Sequence, residues 1–107
     1  MINSSHHVNF IAGKWQSSTR DWVSVINPAT EQEIGRVPTA SAQQIECCIE
    51  TALEVGKQWK NTPAKTRAQF LFRWEQSILE SVDELATIIT QENGKPLKEA
   101  QAEVLYT

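Results

Sequence analysis

The spacing of apolar residues changes period once, at Pro38, and that change divides what the chain can build. Before Pro38 the apolar residues alternate in short runs broken by turn residues, the pattern of half-buried strands. Phe10-Ile11 and Lys14-Trp15-Gln16 flank Ala12-Gly13, and Gly13 is free to take the positive φ that a two-residue hairpin turn requires. Residues 22–26 (Trp-Val-Ser-Val-Ile) form a second β-branched run. Pro28 ends it, because proline pushes Asn27 into an extended conformation and cannot donate into a ladder. Asn27-Pro28-Ala29-Thr30 then carries turn chemistry, and residues 33–37 return with alternating apolar positions until Pro38 closes them. Two short β-hairpins are expected.

Beyond Pro38 the period moves toward 3.6 and about four helices are expected, each with its own start signal. Ser41 and Gln44 make an S-x-x-Q capping box ahead of a stripe of Ile45, Cys48, Ile49, Ala52, Leu53, Gly56 and Trp59, which should run to about Lys60. Thr62 is placed to cap a second helix with Pro63 at its first position, where the missing N–H costs nothing, and Leu71, Trp74 and Ile78 mark its inward face. Ser81 and Glu84 suggest another box, opening a helix with Val82, Leu85, Ile88 and Ile89 inward and Gly94 as its left-handed terminator. Pro96 fits the first turn of a fourth helix carrying Leu97, Ala100 and Val104. No Gly, Asn or Pro ends that pattern before Thr107, so the chain reads as incomplete at its C-terminal end. Residues 1–9 are expected to be a loosely held tail, and residues 10–107 one structural piece.

A length of 107 residues allows at most one small core. An apolar fraction of 40% with 21% charged residues departs from the profile of disordered chains, so folding is expected. The net charge of −3 and the absence of a Lys/Arg cluster argue against a nucleic-acid partner. No apolar run approaches the ~18 residues of a membrane helix, and the polar start Met1-Ile2-Asn3-Ser4-Ser5-His6-His7 lacks the centre of a signal peptide. A soluble cytoplasmic protein without a membrane partner is the expectation. Cys47 and Cys48 are neighbours, too close along the chain for an ordinary disulfide, which fits a reducing compartment.

The sequence holds no evident catalytic constellation. Cys47 and Cys48 lie about two turns into the first helix, past the reach of its dipole, and Cys48 falls on the apolar stripe where a buried thiol behaves as a small hydrophobe. His6 and His7 are adjacent in a polar tail and lack the spaced partners of a metal site. Glu99 and Glu103 stand one helical turn apart and could share a cation or a proton, but a solvated face is the commoner outcome. Trp15, Trp22, Trp59 and Trp74 read as core packing rather than a binding platform. The glycines show neither G-x-G-x-x-G nor G-x-x-x-x-G-K-[ST], and no Ser-His-Asp set is present. Composition and spacing alone therefore identify no activity.

The order of motifs nevertheless resembles one family. Phe10-Ile11-Ala12-Gly13-Lys14-Trp15 resembles the F-I-N-G-x-W opening of aldehyde dehydrogenases, with Ala12 where that family prefers Asn, which puts the turn type in question. Val25-Ile26-Asn27-Pro28-Ala29-Thr30-Glu31-Gln32-Glu33-Ile34-Gly35 resembles its N-P-A-T-x-E-x-I-G stretch, and Ala52, Trp59, Arg67, Arg73 and Leu85-Ala86 follow in register. Gln91-Glu92-Asn93-Gly94-Lys95-Pro96-Leu97-Lys98-Glu99-Ala100 is most similar to the succinate-semialdehyde dehydrogenase group, although related branches carry similar runs.

The resemblance implies an α/β fold in which this segment, two short hairpins followed by about four helices, is the N-terminal portion of a larger dehydrogenase subunit. It implies a complete enzyme that oxidises a small aldehyde to the acid with NAD or NADP, through a cysteine thiolate, a glutamate-activated water and an oxyanion site of asparagine amide and backbone N–H. Those parts belong to later sequence, so this segment would bind no cofactor and be inactive alone. Its partners would be the remainder of the subunit and further copies in a homo-oligomer. Some members hold a monovalent cation through positions matching the carbonyls of Val25 and Ile26 and the carboxylate of Glu103, and oxygen donors suit such a hard ion. The competing expectation is a small helical interaction module without enzymatic activity.

Overall fold

The structure, a computed structural model, describes residues 8–17 and 21–106. His6 and His7 lie outside the described residues. The chain order is β1 (Val8–Ile11), β2 (Lys14–Ser17), β3 (Trp22–Ile26), β4 (Glu33–Pro38), α1 (Ala42–Trp59), α2 (Ala64–Glu80), α3 (Val82–Asn93) and α4 (Leu97–Tyr106). This is the expected succession of two hairpins and four helices. β1 starts at Val8, so the first strand takes in the last two residues of the expected tail, which pair with Ser17 and Gln16.

By their internal contacts the described residues divide into two compact units, residues 8–17 and 21–25 with 35–61, and residues 26–34 with 62–106. The first contains β1, β2 and α1, and α1 contacts β1. β1 and β2 are antiparallel, with Phe10 opposite Trp15 and Ile11 opposite Lys14. The Phe10 and Trp15 rings lie 4.9 Å apart at 58°, a tilted cross-strand aromatic pair on one face of the hairpin. Ile11, on the other face, is buried. The turn between them is resolved by its backbone: Ala12 has φ 51° and Gly13 φ 76°. Positive φ at both central residues is the type I′ signature, so Ala12 stands in a left-handed conformation that Asn tolerates and Ala does not.

β3 pairs with β4 in a separate two-stranded sheet. Bonds from Thr39 N to Asp21 O (2.9 Å) and from Asn27 N to Gln32 O (2.9 Å) bracket the two strands, as converging antiparallel partners require.

α1 begins as its sequence dictates. Ser41 is extended (φ −71°, ψ 158°), its hydroxyl accepts from Gln44 N at 3.1 Å, and Ser41 N donates to Gln44 Oε1 at 3.0 Å, closing the capping box. The helix ends at Trp59, where Asn61 Nδ2 donates to the Lys57 carbonyl at 3.1 Å and satisfies one of the orphan acceptors.

The second unit starts α2 one residue later than expected. Pro63, at ψ 140°, is itself the N-cap rather than the first helical residue, and it has no side-chain acceptor to offer. The Ser81-Glu84 box does not form either. Ser81 closes α2 by donating its N–H to Ile78 O and opens α3 at the same time. Its φ −112°, ψ 11° lies outside the extended region from which an N-cap hydroxyl reaches forward. Pro96 likewise precedes α4 rather than entering it, its carbonyl accepting from Glu99 N and Ala100 N.

α3 and α4 make the closest packing in this unit. Ala86 and Ala100 are fully buried and Val104 nearly so, and the two alanines let the helices approach closely. Gln101 Nε2 donates to Asp83 Oδ1 at 2.9 Å across the same pair. The expected inward residues Val82, Leu85, Ile88 and Ile89 are all half-buried.

The stripes of α1 and α2 expected to face inward are largely exposed. Ile45, Ile49 and Leu53 on α1, and Leu71 and Trp74 on α2, are exposed, and neither helix has a buried residue; of the expected α2 face only Ile78 is half-buried. The four tryptophans are exposed by 39–70% and do not form a core. The residue pattern is amphipathic as read, but burial needs a facing surface, and the described residues provide none over these stripes. Among the described residues, no helix is long and apolar enough to cross a membrane.

Candidate functional site

The part of the molecule where the motif-bearing segments meet is the second unit, and it is built from a turn upward. Asn27 organises residues 27–32. Its side-chain Oδ1 accepts from Ala29 N at 2.9 Å, an Asx turn, and its carbonyl accepts from Glu31 N at 2.8 Å and Thr30 N at 3.3 Å. The ring of Pro28 fixes its own φ, and Glu31 turns the chain back with φ 57°. Thr30 Oγ1 adds a longer contact from Gln32 N at 3.4 Å. The hydrogen bonds that define this loop are internal to residues 27–32.

That loop meets the end of α3. Gly94 takes φ 82° and ψ 6°, donating its N–H to Thr90 O at 2.9 Å, so it is the left-handed cap expected from sequence. A Cβ placed on Gly94 would stand 2.9 Å from Pro28 Cγ, inside any real carbon–carbon contact. Glycine is therefore demanded twice, by the backbone angle and by the proline ring against it. The two most diagnostic stretches of sequence, residues 25–35 and 91–100, are joined through this contact.

Directly after the cap, Lys95 donates to the Glu103 carboxylate one turn and a half into α4. Lys95 is one-third exposed and Glu103 about half. Lys95 is the middle residue of the three-residue link between α3 and α4, so the pair ties that link to α4 and gives Glu103 an ammonium partner. Glu99, expected to share a face with Glu103, is exposed in the first turn of α4, where a carboxylate is favoured by the helix dipole.

Of the positions considered for a cation, Val25 is half-buried and Ile26 exposed at the end of β3, while Glu103 lies on α4. Among the described residues, no three His, Cys, Asp or Glu side chains converge as metal ligands. Cys47 is half-buried and Cys48 exposed, both as free thiols within α1. Cys48 thus departs from the buried position expected for it, for the same reason as its neighbours on the stripe. Asn27, Gly94 and the Lys95–Glu103 pair carry the architecture here, and what they do chemically is hold segments in place.

Comparison with known proteins agrees with the order of these segments. Residues 15–107 match the model of the aldehyde dehydrogenase family. The chain is 39% identical over 97 residues to malonate-semialdehyde dehydrogenase 3 of Geobacillus kaustophilus, covering 90% of this chain and 20% of that protein. It is 42% identical over 97 residues to the NADP(+) succinate-semialdehyde dehydrogenase of Saccharomyces cerevisiae, covering 91% and 20%. Among solved structures, succinate-semialdehyde dehydrogenase from Burkholderia pseudomallei superposes with a TM-score of 0.88 at 37% identity, over 99% of this chain and 23% of that one. The chain spans about a fifth of the length of the curated relatives it matches.

Proposed function

The chain belongs to the aldehyde dehydrogenase family, and from that premise we propose that it is the N-terminal scaffold of an NAD(P)-dependent oxidoreductase acting on a small semialdehyde. The observation that carries this reading is the seat of the 27–32 loop on the α3 cap. It unites both family-like stretches in one corner, and apolar residues of α1 and of α2 are exposed in their own units. Malonate- and succinate-semialdehyde dehydrogenases among the relatives support a short aldehyde bearing a carboxylate at its other end. In this reading the nucleophilic cysteine, the nicotinamide site and the water-activating glutamate are contributed by the rest of a subunit, and the whole works as a cytoplasmic homo-oligomer.

The test is a chimera in which residues 10–107 replace the matching first fifth of the S. cerevisiae enzyme. NADPH formation from succinate semialdehyde is expected from the chimera and none from the 107-residue chain assayed alone. A soluble chimera with native-like circular dichroism and no turnover would overturn the scaffold role, and turnover by the chain alone would overturn the assignment of chemistry to other sequence.

A monovalent cation at the carbonyls of Val25 and Ile26 and the carboxylate of Glu103 forms part of the same proposal. The donor chemistry fits, since all three positions offer hard oxygen. The ion would share Glu103 with the Lys95 ammonium, which already supplies one positive charge to that carboxylate. Potassium or sodium chloride should therefore raise the melting temperature of the chimera above its value in choline chloride at equal ionic strength. Identical curves in the three salts would leave Glu103 as the partner of Lys95 and remove the cation from the proposal.

A further inference from the structure

Asn93 is the last residue of α3, exposed to solvent, and Gly94 follows it in the left-handed conformation. An asparagine followed by glycine carries an electrophile and a nucleophile within reach of each other. The Gly94 backbone nitrogen can close a five-membered ring on Asn93 Cγ, and glycine offers no side chain to hinder it. The ring closes only if the nitrogen gives up its proton and turns toward the side chain. In the folded cap that proton is held: Gly94 N–H donates to Thr90 O at 2.9 Å, while Asn93 is kept in helical backbone.

We propose that Asn93-Gly94 is a conformationally gated site of spontaneous deamidation, restrained by the α3 cap and released when the cap opens. The Gly94 N–Cγ bond forms as the Cγ–Nδ2 bond breaks. The Gly94 amide proton passes to water or hydroxide, and the departing amide takes up a proton and leaves as ammonia. Water then opens the succinimide at either carbonyl, giving aspartate at position 93 or an isoaspartyl link that routes the main chain through the former side chain. Nothing is oxidised or reduced, and water is the only co-reactant.

The product acts on the corner described above. Either outcome sets a carboxylate beside Glu92 at the C-terminal end of α3, where the helix carbonyls already concentrate negative partial charge and no basic residue occupies the last turn. The isoaspartyl form also inserts a main-chain carbon next to Gly94, whose position against Pro28 leaves no slack. Deamidation therefore unseats the 27–32 loop, irreversibly and at a rate set by how often the cap opens.

The full chain, purified and incubated in mildly alkaline buffer with and without urea, tests this by peptide mass mapping. The peptide containing Asn93 should gain about one dalton and yield isoaspartate, at least ~10-fold faster in urea than in native buffer, which corresponds to about 1.4 kcal/mol of cap opening. Asn93→Gln should abolish the gain, because glutamine must close a larger ring. Equal rates in the two buffers would overturn the gating, and no mass gain in urea would overturn the site. Native-state hydrogen exchange supplies a second readout: a Gly94 amide exchanging at the unprotected rate would also overturn the gating.

Discussion

α1 and the α3–α4 pair invert the relation between start signal and packing. α1 has a complete reciprocal capping box and an unbroken apolar stripe, yet it buries no residue. α3 opens without any side-chain cap, its expected box unformed, and still packs against α4 around Ala86, Ala100 and Val104. Capping determines where a helix begins because it satisfies local donors, each worth about 1 kcal/mol. Packing depends on what stands opposite, and that is settled by a different set of residues: two small alanines, a glycine that must remain glycine, and polar links between elements.

The largest effect that would break this comparison is expected at Gly94. Gly94→Ala forces a Cβ into the left-handed region and against Pro28 Cγ, combining backbone strain with overpacking for a total of roughly 2–4 kcal/mol. Urea denaturation followed by circular dichroism should show the midpoint falling sharply or the cooperative transition vanishing. A loss below about 0.5 kcal/mol, the range of ordinary surface changes, would mean that the 27–32 loop does not bear on the α3 cap.

A smaller and opposite effect is expected in the first hairpin. Ala12 occupies φ 51° in a type I′ turn next to Gly13 at φ 76°. Ala12→Asn supplies the residue that best tolerates this conformation and should stabilise the chain by about 0.5–1 kcal/mol. The same urea midpoint reads it, moving upward. A downward shift would show that the turn is not the two-residue type its backbone angles describe.

The sequence disclosed several features whose partners lie within a few residues. Ser41 with Gln44, Gly94 as terminator, Asn27-Pro28 as a strand stop and the alternation of both hairpins all emerged at or within two residues of their structural positions. Ser81 misled because one residue cannot be the C-cap of α2 and an extended N-cap of α3 at once. Thr62-Pro63 misled by one position because the proline adopts the extended ψ of a cap. Lys95 with Glu103 was invisible to periodicity, since Lys95 lies in the link before α4 and not on a helix. Pro28 against Gly94 is farther apart still, and only the folded chain shows that the glycine answers to a proline ring as well as to its own φ. Cys48 and the tryptophans were expected inward and are exposed, because a face is not a burial.

The finest test separates a face from a burial directly. Leu53 lies on the α1 stripe and is 66% exposed, whereas a buried leucine truncated in a core costs about 2–5 kcal/mol. Leu53→Gln keeps similar bulk and good helix propensity, so in the isolated chain its effect on the urea midpoint should stay within about 0.5 kcal/mol. Light scattering should improve, because an exposed apolar stripe promotes association and the substitution interrupts it. In the chimera the same change should cost more than in the chain alone, since there the stripe gains a surface to face. If the cost is already about 2 kcal/mol or more in the isolated chain, then α1 is packed after all and its contrast with α3–α4 disappears. If the cost is negligible in both settings, the stripe faces solvent throughout, and the scaffold reading must rest on the α2 face and the 27–32 corner.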